Sequence, residues 1–162
     1  MSATPRSYRP NVCIVLTDES REQVLVFRRV DSTLGNFRWQ FPQGGLLPRE
    51  QPQEGMFREL AEEIGTAEVE VLAALNEPIC YEYPPDVLAA LADRDPEKAG
   101  FHGQSQHWFL ARLLGGEKAI RFDHHPPEFD AWQWVSPARA LELVAPFKKE
   151  AYRQALTGFG MI

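Results

Sequence analysis

Glu59, Glu62 and Glu63 stand at i, i+3 and i+4 in the run Arg58-Glu59-Leu60-Ala61-Glu62-Glu63-Ile64-Gly65. On a helix that spacing puts three carboxylates on one face, with neighbouring Cβ atoms about 5–6 Å apart. Charges so placed repel one another. A hard divalent cation turns the repulsion into binding, since Mg²⁺ takes oxygen ligands at about 2.0–2.1 Å. Carboxylate-held metal in turn polarises phosphates and activates water. The same spacing also describes a solvated acidic helix face, so the three residues alone leave both readings open.

The elements that must position these residues are legible around them. From Gln51 to Ile64, Met56, Phe57, Leu60 and Ile64 recur at three- and four-residue intervals among charged neighbours, which predicts an amphipathic helix stopped by Gly65. Before it, Pro42 breaks the aromatic stretch Phe37-Arg38-Trp39-Gln40-Phe41, and Gly44-Gly45 permits unusual backbone angles. Val12-Cys13-Ile14-Val15-Leu16 and Val24-Leu25-Val26-Phe27 read as two strands joined by a polar turn. The second strand ends in Arg28-Arg29 and opens into a loop from Asp31 to Asn36. Arginine forks suit phosphate oxygens, and one of the two at this strand end is expected to face solvent instead.

Further strands are expected at Val69 and Val71, at Ile79 with the Tyr81/Tyr83 pair, over His107–Leu113 and over Glu128–Val135. Ser136-Pro137 opens two short helices, over about Pro137–Val144 and Phe147–Thr157. Pro84 to Gly103 reads as a long connection with one helical turn over Asp86–Ala92, and it is acidic, with Asp86, Asp93, Asp95 and Glu97 against Arg94 and Lys98. Interleaved strands and helices predict a layered mixed α/β fold, and 162 residues suit one domain over the whole chain, 1–162.

Composition narrows the function classes. With 44% hydrophobic and 25% charged residues, the chain is neither disordered nor fibrous. No apolar run approaches the roughly 20 residues that cross a bilayer, and MSATPRSYRP has no signal-peptide stretch, so a cytoplasmic protein with no membrane partner is expected. Seventeen Lys and Arg against 23 Asp and Glu give a net charge of −6, which argues against non-specific polyanion binding and against DNA as a partner. An anionic substrate would need local cations or a metal. Cys13 and Cys80 show no zinc spacing and no disulfide framework and are expected to be buried thiols.

The stretch Gly44-x5-Glu50-x7-Arg58-Glu59-Leu60-Ala61-Glu62-Glu63-Ile64-Gly65-Thr66 resembles the signature box of the Nudix superfamily. Every fixed position matches except the last, where Thr66 is polar and the pattern has an aliphatic residue. Tyr8-Arg9-Pro10-Asn11-Val12, Trp39-Gln40-Phe41-Pro42-Gln43-Gly44-Gly45, Gln104-x-Gln106-x-Trp108-Phe109, Pro127-Glu128-Phe129-Asp130-x-Trp132-x-Trp134-Val135 and Phe147-Lys148 are similar to the bacterial RNA pyrophosphohydrolase branch of that superfamily. That branch also contains asymmetric diadenosine polyphosphate hydrolases. The match runs from Tyr8 to about Tyr152.

The resemblance implies a Nudix-type α/β/α sandwich with a central mixed β-sheet. It further implies a hydrolase dependent on Mg²⁺ or Mn²⁺ that removes pyrophosphate from a 5′-triphosphorylated RNA end. Hydrolysis of dinucleoside polyphosphates is the alternative, and a non-catalytic nucleotide-binding module a lesser one. On the matching positions, Glu59, Glu62, Glu63 and the Gly44 carbonyl would hold metal, Glu128 would reach the cluster as ligand or as base for water, and Arg58 would pair with Glu50. Arg28, Arg29 and Lys148 would meet phosphates, Phe147 would stack a nucleobase, and Tyr81 or Tyr83 would favour a dinucleotide. His124-His125, two adjacent loop imidazoles, are expected to be exposed rather than catalytic.

Overall fold

The computed structural model describes residues 7–31, 35–95 and 100–162. Ser32-Thr33-Leu34, Glu97 and Lys98, on which parts of the loop and charge readings fall, lie outside the described residues.

The long apolar run of the sequence becomes β1 (Tyr8–Thr17), the centre of a mixed sheet. It pairs in parallel with β7 (Gly103–Leu113) from Tyr8 opposite Gly103 to Thr17 opposite Arg112. On its other side lie β2 (Val24–Arg29) and then the short β3 (Trp39–Gln40), with β5 (Val69–Ala74) beyond β7. Three strands branch off this path: β4 (Gln43–Gly45) pairs antiparallel with β1, β6 (Ile79–Glu82) with β7, and β8 (Phe129–Val135) with β2.

β1 is apolar at every position from Val12 to Leu16 because both of its faces are covered. Val12, Ile14 and Leu16 meet Met56, Leu60 and Ile64 of α1 (Pro52–Ile64) on one side. Cys13 and Val15 meet Ala140 of α3 (Pro137–Leu143) and Tyr152, Ala155 and Leu156 of α4 (Pro146–Gly158) on the other. The expected α/β/α sandwich around a mixed sheet is therefore the observed one.

The second core layer also fixes the path into Gly44-Gly45. Phe41 stacks on Tyr152 at 4.6 Å between ring centroids, Trp108 meets Tyr152 edge-on at 5.3 Å, and the Phe41 N–H donates to the Tyr152 hydroxyl at 3.0 Å. The Ile14 N–H donates to the Pro42 carbonyl at 3.0 Å. Proline thus breaks the ladder where the chain turns toward the box, and the break is held from below.

Three expectations need correction. The single turn expected over Asp86–Ala92 is a ten-residue helix, α2 (Pro85–Arg94), because Pro85 starts it and Leu88, Ala89, Ala90, Leu91 and Ala92 all favour helix. Cys80 is exposed rather than buried: β6 turns Ile79 and Tyr81 inward, and the alternation leaves Cys80 and Glu82 outside. β8 begins at Phe129, so Glu128 stands just outside the ladder. Thr66, where the family pattern has an aliphatic residue, accepts the Glu68 N–H on its hydroxyl at 3.2 Å and so orders the turn after α1 by a hydrogen bond. Among the described residues, no helix is long and apolar enough to cross a membrane.

Tyr152→Phe keeps the ring stack and leaves the buried Phe41 N–H without its acceptor. A loss of about 1–3 kcal/mol is expected in urea denaturation, with an unchanged m-value.

Candidate active site

The loop from Gly44 to Gln51 is tied to α1 by one side chain. Arg58 gives Nε to Glu50 Oε2 at 2.8 Å and Nη2 to Glu50 Oε1 at 2.9 Å, a bidentate fork, and Nη2 also donates to the Gly45 carbonyl at 2.8 Å. Glu50 Oε1 accepts the Leu47 N–H at 3.0 Å as well, which closes the loop on itself. The remaining guanidinium nitrogen, Nη1, reaches Glu59 Oε1 at 2.9 Å and Glu62 Oε2 at 3.4 Å.

The glycines record how closely the loop lies. A Cβ on Gly44 would sit 2.0 Å from the Glu59 carboxyl carbon, and one on Gly45 would sit 2.0 Å from Arg9 Nη2. The β4 backbone therefore passes between a carboxylate and a guanidinium with no room for a side chain.

Glu59 and Glu63 share the core-facing stripe of α1 with Met56, Leu60 and Ile64, following the i, i+3, i+4, i+7 spacing from Met56. Glu59 is buried, and burial raises its carboxyl above the ordinary range against the pull of Arg58. Burial pushes Glu63 well above that range, and the charges of Glu59 and Glu128 push it further. Glu63 Oε2 accepts the Gln43 N–H at 3.3 Å. Glu62 lies toward solvent with 46% of its side chain exposed, and Glu128 is exposed.

Among the described residues, no three His, Cys, Asp or Glu side chains are already closed up as a metal cage. Arg58 holds Glu59 and Glu62 as their counter-ion. The donor chemistry nevertheless fits a hard cation: carboxylate oxygens that repel one another beside a backbone approached within contact at Gly44. Gly44, Glu59 and Glu63 are the residues that could hold it, with Glu62 and Glu128 at the edge.

Gln43 joins this cluster to a cavity of about 260 Å³. Its walls carry Arg29, Asp31, Arg94, Asp95 and Lys148, together with Tyr81, Tyr83, Val87, Leu91, Gln104 and Phe147. Three cations face two carboxylates there, so the cavity is locally positive in a chain of net charge −6. Lys148, in the first turn of α4, is buried and donates to Gln40 Oε1 at 3.2 Å. Tyr81 gives its hydroxyl to Gln104 Oε1 at 2.5 Å, and burial raises its ionisation well above the usual value, so it stays a donor. The Phe147 ring lies 5.8 Å from that of Tyr81 and 6.4 Å from that of Tyr83. Beyond Phe147 an apolar recess of about 320 Å³ opens between Phe37, Pro84, Val87 and Pro146.

A NUDIX domain model matches residues 7–155. The chain belongs to the NUDIX family. A protein of Pseudomonas putida named RNA pyrophosphohydrolase is 42% identical over 155 residues, covering 94% of this chain and 91% of that one. A protein of the same name from Acidiphilium cryptum is 40% identical over 161 residues, covering 97% and 93%. The solved structure of the E. coli dihydroneopterin triphosphate pyrophosphohydrolase superposes with a TM-score of 0.69 at 20% identity, covering 94% of this chain and 99% of that one. At that identity the likeness is one of fold.

On this NUDIX frame the residues singled out from sequence fall into two groups and one outlier. Gly44, Glu59, Glu62, Glu63 and Glu128 gather around the box, and Arg29, Tyr81, Tyr83, Phe147 and Lys148 line the cavity. Arg28 does not join them: its Nε donates to Asp130 at 2.7 Å, and its guanidinium lies 5.9 Å from the Trp39 ring centroid. His124 and His125 are exposed, as expected. Sequence reasoning missed Gln43, Asp31 and Arg94 and gave Arg9 no role. Gln43 stood in the Trp39–Gly45 run and Arg9 in the Tyr8–Val12 run, so a motif marked both, whereas no motif marked Asp31 or Arg94.

Gly44→Ala should abolish activity while far-ultraviolet circular dichroism stays native, since the added methyl meets the Glu59 carboxylate. For the Arg58 tie, the Glu50 carboxyl is lowered from 4.5 to about 2 by its hydrogen bond from Arg58 and then by the Leu47 N–H. A folded-state value below the unfolded one means that the tie contributes fully above pH 4.5 and is lost as pH falls toward about 2. Glu50→Gln should therefore lower Tm at neutral pH and flatten that acid limb in metal-free calorimetry.

Proposed function

We propose that this NUDIX hydrolase removes pyrophosphate from the 5′-triphosphate end of RNA, with a divalent cation held by Gly44, Glu59 and Glu63 and bordered by Glu62 and Glu128. The observation that carries the reading is the continuity from buried carboxylates through Gln43 into a locally positive, aromatic-walled cavity. The name shared by two relatives that are 40% and 42% identical over nearly the whole chain supports the same substrate.

When bound, the cation supplies charge neutralisation at the phosphates and lowers the pKa of water. The chain supplies the rest. Arg29 and Lys148 bind the phosphate chain and orient it, and Phe147 stacks the nucleobase at the border of the apolar recess. Glu62 or Glu128, the two solvent-facing carboxylates, takes the proton of the attacking water. Water adds to phosphorus, the anhydride bond breaks, and pyrophosphate leaves an RNA 5′-monophosphate. A site that engages only the terminal nucleotides needs no basic surface, which reconciles an RNA substrate with the acidic chain.

The test is kcat/KM for a short 5′-triphosphorylated RNA and for diadenosine tetraphosphate, side by side with Mg²⁺. The RNA should be preferred, and Glu63→Gln should lose about 100-fold or more on it. A preference for the dinucleotide would replace the RNA reading with the dinucleoside polyphosphate one. Turnover of neither would leave a nucleotide-binding module.

A further inference from the structure

Asp31, just past the end of β2, and Arg94, the last residue of α2, form an ion pair between elements 63 residues apart in sequence. The same carboxylate oxygen, Oδ2, also faces Arg29 Nη2 at 3.4 Å. One anionic oxygen therefore gathers two guanidinium groups that reach it from different elements, and all three residues line the cavity. Arg94 keeps 48% of its side chain exposed, against 27% for Asp31 and 24% for Arg29, so the ensemble opens to solvent rather than closing a core.

Two guanidinium groups on one oxyanion is also the arrangement that binds a phosphate oxygen. A carboxylate brings one charge to it, whereas a phosphate chain brings several and more acceptor oxygens. We infer that Asp31 is a placeholder that holds Arg29 and Arg94 where a substrate phosphate takes over, which makes Arg94 a substrate-binding residue contributed by α2. This inference rests on the polyphosphate reading of the cavity.

A purely structural latch between α2 and the end of β2 makes a different forecast. Breaking a latch from either side loosens the same contact, so both partners' variants shift affinity in the same direction. For a placeholder the directions are opposite: removing Asp31 removes a competitor, and removing Arg94 removes a ligand.

The experiment measures KM for the triphosphorylated RNA and, by calorimetry, Kd for inorganic triphosphate, in Asp31→Asn, Arg94→Ala and Arg94→Lys, with the surface variant Glu142→Gln as the charge control. Asp31→Asn should tighten both constants about three- to tenfold, Arg94→Ala should weaken both by a similar factor, and Arg94→Lys should recover part of the loss. Shifts of the same sign, or no shift beyond that of Glu142→Gln, would overturn the inference. Should the wild-type chain fail to cleave the RNA, the reading of its function falls while triphosphate Kd still decides the roles of Asp31 and Arg94.

Discussion

Arg58 is the single group on which the geometry of the site depends. Its fork fixes Glu50, its third contact fixes the Gly45 carbonyl, and its remaining nitrogen sits between Glu59 and Glu62. Loop and helix thus share one cation, and the carboxylates are aimed by the same side chain that holds the loop against them. A lysine would carry the charge without the planar array of donors, so it could not make these contacts together.

The cost of the arrangement lies in the carboxylates themselves. Glu59 and Glu63 take core-facing positions on α1, and burial raises both carboxyls, with the charge of Glu62 adding to the rise at Glu59 and the charges of Glu59 and Glu128 adding to it at Glu63. In the free protein the compensation comes from Arg58 and from the Gln43 N–H. A hard cation held there would compensate more fully. From there Gln43 carries the site outward: its N–H serves Glu63, and its side chain accepts from Gln106, which also donates to Gln104 of the cavity wall.

Much of this was readable in the sequence. The spacing of Met56, Leu60 and Ile64 gave α1 almost to the residue, and the box glutamates with their flanking motifs gave the family. Periodicity marked the glutamates only as charged positions among the apolar ones, whereas Glu59 and Glu63 lie within the core-facing stripe, where Arg58 and the Gln43 N–H meet them. Arg28 and Arg29 were indistinguishable as neighbours at a strand end. Their faces are set by pairing with β8, whose register shifts at that point, a long-range fact no local pattern encodes. The helical α2 was hidden by its prolines and acidic residues, and the bond between Asn11 and Gln106 spans 95 residues without a charge to announce it.

The central claim is that the buried carboxylates are a binding site whose repulsion the fold bears in order to hold a divalent cation. Thermal unfolding of the wild-type chain and of Glu63→Gln, each with and without Mg²⁺, tests it without reference to turnover. Without the cation Glu63→Gln should melt above wild type, since a buried, repelled carboxyl is gone. With Mg²⁺ well above its Kd the wild type should rise by several degrees and overtake the variant, which gains little. A wild-type Tm indifferent to Mg²⁺, or an equal rise in both proteins, would contradict the account.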